Sequence, residues 1–450
     1  MKKKNAFSNT HAAIILGIPL AVGIFAVVYF TLPSALSVSY TNEPLSALAT
    51  TSAQGIRPVG AVSSTTLSAS TSAPAVTHIA TPEVVRAIYM SQCVAGTPSF
   101  RDSLVKFIDQ SDLNTVVIDI RDYTGRISFP TTNPILKDMV SPDCGAKDMR
   151  AFVAKLHSKN IYVIGRITTF QNPYYAKLHP ELAVQKVGGG VWHDNKGLAF
   201  IDVGAKPYWD TVIELGKVSY NDVGFDELNF DYLRFPSDGP MKEADYSWDK
   251  GKSKAQALEE FFQYLSAGLK PTGVKLSADL FGYVTVHTDD LGIGQVLERA
   301  MPYFDYIDPM VYPSHYNSGF AGLKNVNSDP YAVVHISLET AVKRAMASTT
   351  SVEGMTEEPI MKTVLVPATA TVATTTKEVA SGLYTKAVYP ASVIRPWLQS
   401  FNYPVVYTPA MVMAQIKANT DSGLGAYLFW DAGNKYAALR QVLSTTSTTQ

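Results

Sequence analysis

The sequence predicts an α/β fold, a (β/α)8 TIM barrel preceded by a single N-terminal transmembrane helix and a disordered linker, and three observations carry that reading. The chain has 450 residues, enough for one barrel of roughly 250 residues with insertions. Eight short runs rich in β-branched and aromatic residues alternate with segments of helical periodicity, the pattern of successive βα units around a parallel sheet. Eight runs suit a closed barrel better than an open doubly wound sheet. Several of them also carry acidic residues on one parity near their C-terminal ends.

In chain order, Lys2, Lys3 and Lys4 form a basic tip at 1–11, followed by an apolar run at 12–32. That run is close to the ~20 residues that span a bilayer as a helix. It is longer than the about 7–15 apolar residues of a removable signal segment, so an uncleaved anchor is expected, with cleavage after Ala47-Leu48-Ala49 the alternative. The lysines place the N-terminus in the cytoplasm and the rest of the chain outside it, giving a single-pass membrane protein with an extracytoplasmic domain. Residues 33–82 are Ser-, Thr- and Ala-rich with few charges, a composition that cannot bury enough apolar surface to order itself, and read as a linker. The barrel is expected at 83–440, interrupted by a flexible insertion of similar composition at about 348–385, within which MKTVLVPATATV could pair as a hairpin. Residues 441–450 read as a disordered tail.

The eight runs are 85–89, 115–120, 161–167, 227–232, 275–280, 306–312, 393–401 and 425–430. Between them, SFRDSLVKFIDQS, AKDMRAFVAKLHSKN, SKAQALEEFFQYLSAGLK and PAMVMAQIKANTDSG have helical spacing with charged outer faces. Cys93 and Cys144, the two cysteines, fall in the loops after the first and second runs, on one face of the barrel. Outside the cytoplasm a disulfide between them is permitted, and two buried free thiols are the other reading.

With 38 basic and 39 acidic residues the net charge is -1, which argues against a nucleic-acid surface. No Gly-x-Gly-x-x-Gly follows the first run and no Walker loop occurs, so no nucleotide cofactor is expected. The chain lacks His-x-His at the end of the first run and His-Glu-x-x-His anywhere, which argues against a metal centre even though His193, His287 and His315 fall in top-face loops. The absence of Gly-x-Ser-x-Gly argues against an α/β-hydrolase serine.

Alternate side chains of a strand face opposite sides. Glu227, Asn229 and Asp231 therefore share the barrel interior, as do Lys275, Ser277 and Asp279, then Tyr306, Asp308, Met310 and Tyr312, and likewise Asp119 with Arg121. Barrel active sites lie at the C-terminal ends of the strands, which Asp231 and Asp279 approach, with Asp308 lower. A ring of inward acids suits glycoside hydrolysis, where one carboxylic acid protonates the leaving oxygen and a second carboxylate acts as nucleophile or base. Pairing of individual acids with Arg121, Arg166 or Arg234 in a buried network is the competing reading.

The segments VVIDIRDYTGRISF, FDELNFDYLRFPSDG, DYIDPMVYPSHYNSGFAG, RPWLQSF and GAYLFWDAGNKY resemble a bacterial family of glycoside hydrolase domains, formerly a domain of unknown function, over about residues 82–436. The resemblance implies a barrel related to α-amylase and α-galactosidase enzymes, with the nucleophile at Asp231 and the acid at Asp279 or Asp308. The Thr-rich insertion before the seventh run departs from the family pattern.

The expected reading is an exported, membrane-anchored, monomeric glycosidase without cofactor, acting on a carbohydrate. Asp231 attacks, Asp279 protonates with Asp308 in reserve, and Asp119, Arg121, Arg166, Tyr312, His315 and Trp430 orient sugar rings. The alternative is a non-catalytic glycan-binding module that keeps Trp192, Trp397 and Trp430 as platforms and locks its acids in ion pairs.

Overall fold

The computed structural model describes residues 76–249, 251–355, 359–367 and 374–446. Eight parallel strands close into a barrel: β1 (Arg86–Met90), β2 (Thr115–Arg121), β3 (Tyr162–Thr168), β4 (Glu227–Asp231), β5 (Lys275–Phe281), β6 (Tyr306–Met310), β7 (Trp397–Gln399) and β8 (Tyr427–Trp430). The last strand pairs with the first in the register Arg86↔Tyr427, Ala87↔Leu428 and Ile88↔Phe429, so no sheet edge is left open. All eight strands coincide with the runs read from sequence to within a few residues. β7 is the shortest of them because Pro396 offers no backbone N–H to a ladder, and only Trp397 pairs with β6.

Helices follow the strands: α1 (Pro98–Asp109), α2 (Met149–His157), α3 (Lys206–Val218), α4 (Lys254–Leu269), α5 (Leu297–Ala300), α6 (Pro330–Met346), α7 (Pro409–Asp421) and α8 (Ala437–Thr446), with further short helices at Gln92–Ala95 and Pro173–Leu178. Their starts are written locally. Ser253 and Gln256 form a reciprocal capping box on α4, and the side chains of Asp329 and Thr408 cap α6 and α7 ahead of a proline at the first helical position. Strand parity splits the apolar residues into two bodies. Outward residues such as Ile118, Val163, Phe230, Leu280 and Phe429 join the helices in one large core. Inward residues Ala87, Val117, Ile164 and Leu428 form a separate, smaller one.

The segment expected as the end of the linker belongs to the fold. Asp226, just before β4, accepts hydrogen bonds from the Ile79 and Val163 amides, each at 2.9 Å, and its Oδ2 lies 2.9 Å from His157 Nε2. The Thr81 hydroxyl adds a 3.0 Å bond to Tyr162, and His78 stacks on Tyr220. Residues 76–82 are thus strapped across the floor of the barrel, because a buried aspartate needs donors and the segment supplies one.

The insertion also differs from an irregular loop: Pro359–Val366 and Thr375–Thr385 form an antiparallel hairpin that continues to Thr349–Thr350. MKTVLVPATATV supplies its first strand, while the partner lies further along the chain. At the C-terminus α8 runs beyond residue 440 because Leu439, Val442 and Leu443 are buried. Among the described residues no helix is long and apolar enough to cross a membrane. The expected anchor at 12–32, most of the linker and the last four residues of the tail lie outside the described residues.

Cys93 and Cys144 form a disulfide with Cα atoms 4.5 Å apart, joining the loops after β1 and β2 across a sequence separation of 51. Replacing Cys144 by Ser should lower unfolding stability by about 2–4 kcal/mol, read as a shifted denaturation midpoint under non-reducing conditions. A midpoint unchanged from wild type would show that the bridge contributes nothing.

Candidate active site

The barrel interior joins an apolar cluster around Ala87, Val117, Ile164 and Leu428 to a set of charged groups that form two tiers. In the lower tier the fully buried Arg395, two residues before β7 proper, fastens two acids. It donates to Glu227 from both terminal nitrogens, at 2.5 and 3.2 Å, and to Asp308 from Nε at 3.0 Å and Nη2 at 2.9 Å. Ser277 and Tyr162 donate their hydroxyls to Glu227 at 2.7 and 3.2 Å. Burial pushes the Asp308 carboxyl up to about 6 against the opposing pull of Arg395.

In the upper tier Arg166 of β3 plays the same part. Its Nη1 donates to Asp119 at 2.7 Å, its Nη2 donates to Asp231, and its Nε lies 3.8 Å from Asp279 Oδ2. Tyr89 adds a 2.5 Å bond to Asp119 and stacks on Trp430, 3.9 Å between centroids, while the guanidinium rests 4.9 Å from the Trp430 ring centre. Asp119 is also lifted to about 6, with burial the largest cause.

Asp231 is the last residue of β4, and Tyr232 directly after it has φ 52°, a left-handed conformation uncommon for a bulky side chain. The turn brings the Tyr232 amide back onto Asp231 Oδ1 at 2.5 Å. Asp231 therefore collects two donors, one from side chain and one from strained backbone. Asp279 differs. Its Oδ1 accepts from Asn229 Nδ2 at 2.8 Å and from Trp397 Nε1 at 2.7 Å. Burial, then the charges of Asp231 and Asp308, raises its carboxyl well above the usual range. Since both donors address Oδ1, a proton on this acid resides on Oδ2.

Above these groups opens a cavity of about 380 Å³, lined by Arg166, Asp231, Tyr232, Arg234, Asp279, Phe281, Gly282, Tyr283, Met310, Tyr312, His315, Tyr316, Trp397 and Trp430. The volume falls in the range of small-molecule sites. Gly282 is needed at its wall, since a Cβ there would lie 2.4 Å from the Tyr316 hydroxyl and 2.6 Å from the Met310 carbonyl. Tyr312 is buried and stays a neutral phenol, its pKa raised by burial and by Asp279 and Asp231. His315 packs edge-on to Tyr312 and Phe401, with Nδ1 held by Ser314 at 3.0 Å.

Of the residues read from sequence, Asp231, Asp279, Arg166, Tyr312, His315 and Trp430 meet at this cavity. Three do not. Asp308 lies below it, tied to Arg395 and Asn229. Asp119 lies behind Arg166 and reaches the site only through it. Arg121 faces the helices, because a register shift pairs Asp119 with Arg166 but Arg121 with outward-facing Ile167. Its Nε donates to the Thr168 carbonyl, and its guanidinium sits 5.6 Å from the Tyr208 ring centre. Trp192 is fully buried with Nε1 bound to the Pro240 carbonyl, so it offers no platform. His193 and His287 are exposed, and no group of three or more potential metal ligands occurs among the described residues. Sequence reasoning missed Arg395, Tyr283 and Phe281, and it offered Arg234 only as an ion-pair partner, whereas Arg234 lines the cavity. Arg395 and Trp397 share one parity in the seventh run, so parity applied there would have placed both beside the acids.

A closed parallel barrel with an acid pair at the C-terminal ends of β4 and β5 defines the class of glycoside-hydrolase-type barrels. The chain belongs to the family described as "putative glycosyl hydrolase domain", whose profile matches residues 87–364 and 360–436. No curated protein sequence matches it. Among solved structures, the PgaB (BpsB) glycoside hydrolase domain from Bordetella bronchiseptica is similar at a TM-score of 0.51 and 11% identity, over 80% of this chain and 99% of that one. The α-L-fucosidase isoenzyme 2 from Paenibacillus thiaminolyticus gives a TM-score of 0.52 and 10% identity, over 81% of this chain and 49% of the fucosidase. A hypothetical protein from Ruminiclostridium thermocellum ATCC 27405 is 30% identical, at a TM-score of 0.39, over 46% of this chain and 98% of its own.

Replacing Arg395 by Met should cost about 3–5 kcal/mol, because Glu227 and Asp308 then face one another without a cation. Without the cation the Asp308 carboxyl rises further above about 6, so the variant takes up protons before wild type does and the loss, measured by urea denaturation, should shrink as pH falls toward 6. A loss that does not change with pH would contradict this account of the lower tier.

Proposed function

We propose that the chain is an exported, membrane-anchored glycosidase that cleaves an oligo- or polysaccharide with net retention of configuration. The observation that carries the reading is the unlike environment of two carboxyls facing one cavity. Asp279 is buried and held towards its protonated form, while Asp231 receives the Arg166 guanidinium and the Tyr232 amide. Such a division supplies an acid and a nucleophile from the same side-chain type.

In the first step Asp231 attacks the anomeric carbon. The bond to the leaving oxygen breaks, and Asp279 Oδ2 gives that oxygen its proton. Water then displaces Asp231 from the sugar and passes its proton to Asp279, restoring both groups. Arg166 contacts Asp231 and lies 3.8 Å from Asp279, which supports the short separation, roughly 5–5.5 Å, of retaining enzymes. Trp430 and Tyr312 would border the sugar ring, one as a stacking face and one as a hydroxyl donor. A purely glycan-binding barrel would have its acids locked, as Asp119 and Asp308 are; Asp279 takes both its hydrogen bonds on Oδ1 and leaves Oδ2 with only a 3.8 Å approach to Arg166, which favours chemistry. The anchor at 12–32 and the Cys93–Cys144 bridge both support placement outside the cytoplasm.

The test is hydrolysis of a panel of α- and β-linked oligosaccharides by the full chain, with the first-formed anomer read by NMR. Asp231→Asn should reduce turnover on the order of 10³-fold or more. Asp279→Asn should reduce it by about 10²–10⁴-fold on oligosaccharides, yet far less on aryl glycosides whose leaving group needs no proton. Undiminished turnover in Asp231→Asn would remove it as nucleophile.

The pH dependence has a fixed sign. As pH rises through the displaced Asp279 value the acid form is lost, so kcat falls, and this limb should vanish in Asp279→Asn. A limb that persists in that variant would transfer the acid role elsewhere.

A further inference from the structure

Arg166 and Arg395 have carboxylate partners, whereas Arg234 does not. It stands three residues beyond Asp231, lines the cavity, and is 7% exposed, yet no carboxylate oxygen lies within ion-pair distance of it among the described residues. Asp231, Asp238 and Asp194 act on it only at longer range, and Asp194 is turned to the amides of Lys196 and Leu198. Around the guanidinium stand aromatic rings, with Phe281 and Tyr232 each 4.9 Å away and Phe200 at 5.7 Å. Rings offset part of the cost of burying a cation, but they leave its hydrogen-bonding capacity unused.

The engaged edge is informative. Nη1 donates to the Phe235 carbonyl at 3.1 Å and to the Ser237 hydroxyl at 3.2 Å, which uses both of its hydrogens and fixes the turn after β4. Nε and Nη2 have no hydrogen bond to any described residue. These two nitrogens form the side-on edge of a guanidinium, whose parallel N–H pair matches the two oxygens of a planar carboxylate. A structural arginine fixing only the turn would need Nη1 alone.

We propose that Arg234 recognises a carboxylate on the substrate, so that the glycan carries a hexuronic acid residue at or beside the cleaved linkage. The inference rests on the glycosidase reading for its site and deepens it by naming the sugar class. A cavity walled by aromatic rings and holding one spare cation selects such a sugar over its neutral counterpart, which would leave the guanidinium without its partner.

The test is equilibrium binding to the full chain, followed through tryptophan fluorescence because Trp397 and Trp430 line the cavity. The probes are the methyl α- and β-glycosides of glucuronic and galacturonic acid, the corresponding glucosides and galactosides, and glucose 6-sulfate. At least one uronide should bind at least about tenfold more tightly than its neutral counterpart, the gain of one charge-assisted pair. Arg234→Gln should abolish that preference and Arg234→Lys retain part of it. Thermal melting of each variant separates loss of recognition from loss of fold, and the wild-type preference stands independently of either substitution. Equal binding of charged and neutral sugars, a preference untouched by Arg234→Gln, or tighter binding of the sulfate than of the uronides would overturn the proposal. Because binding needs no turnover, those outcomes leave the hydrolysis assay with Asp231→Asn to judge the glycosidase reading separately.

Discussion

Five carboxyl groups inside one barrel depend on two guanidinium groups. Glu227 and Asp308 are held by Arg395, and Asp119 and Asp231 by Arg166, with Asp279 at the edge of Arg166. Isolated charges in such a place would be prohibitively costly, so the tiers are possible only because each arginine meets at least two acids. At the top one guanidinium serves three carboxyls. Asp279 is the member left without a close guanidinium, and burial first, then the charges of Asp231 and Asp308, raises its carboxyl well above the usual range. A chemical asymmetry between two aspartates thus follows from counting charges in a confined space.

Asn229 connects the tiers. Its amide nitrogen lies within hydrogen-bond distance of Ser277, Asp279 and Asp308, at 3.1, 2.8 and 3.1 Å. A neutral donor in this position steadies the upper acid while favouring its ionised form less than a cation would. An arginine or lysine at the same point would favour the ionised acid and remove the proton that chemistry needs. Neutral Trp397 repeats the choice from the opposite wall. The polar part of the barrel therefore combines a rigid ionic base with a top whose donors are mostly uncharged.

Most of the fold was legible because parallel strands buried on both faces are written as uninterrupted apolar and β-branched runs, and TVVIDI or YVIGRI admit few other readings. Parity then located Asp231 and Asp279. It failed at Arg121, where a one-residue irregularity reverses the faces, a feature that hydrophobic pattern does not encode. Strand position already set Asp308 lower than Asp231 and Asp279, but parity gave no sign that Asp119 lies behind Arg166 or that Arg395 ties Asp308 down. The hairpin in the Thr-rich insertion was half legible. Its first strand has the alternation, but the partner TTKEVASGLYT reads as polar coil because it is exposed along most of its length.

The strap of residues 76–82 across the floor settles a matter of direction. Asp226 gathers it at the N-terminal ends of the strands, and the cavity opens at their C-terminal ends. The described chain therefore enters the fold on the face opposite the cavity, so residues 76–82 can brace the strands without narrowing the mouth.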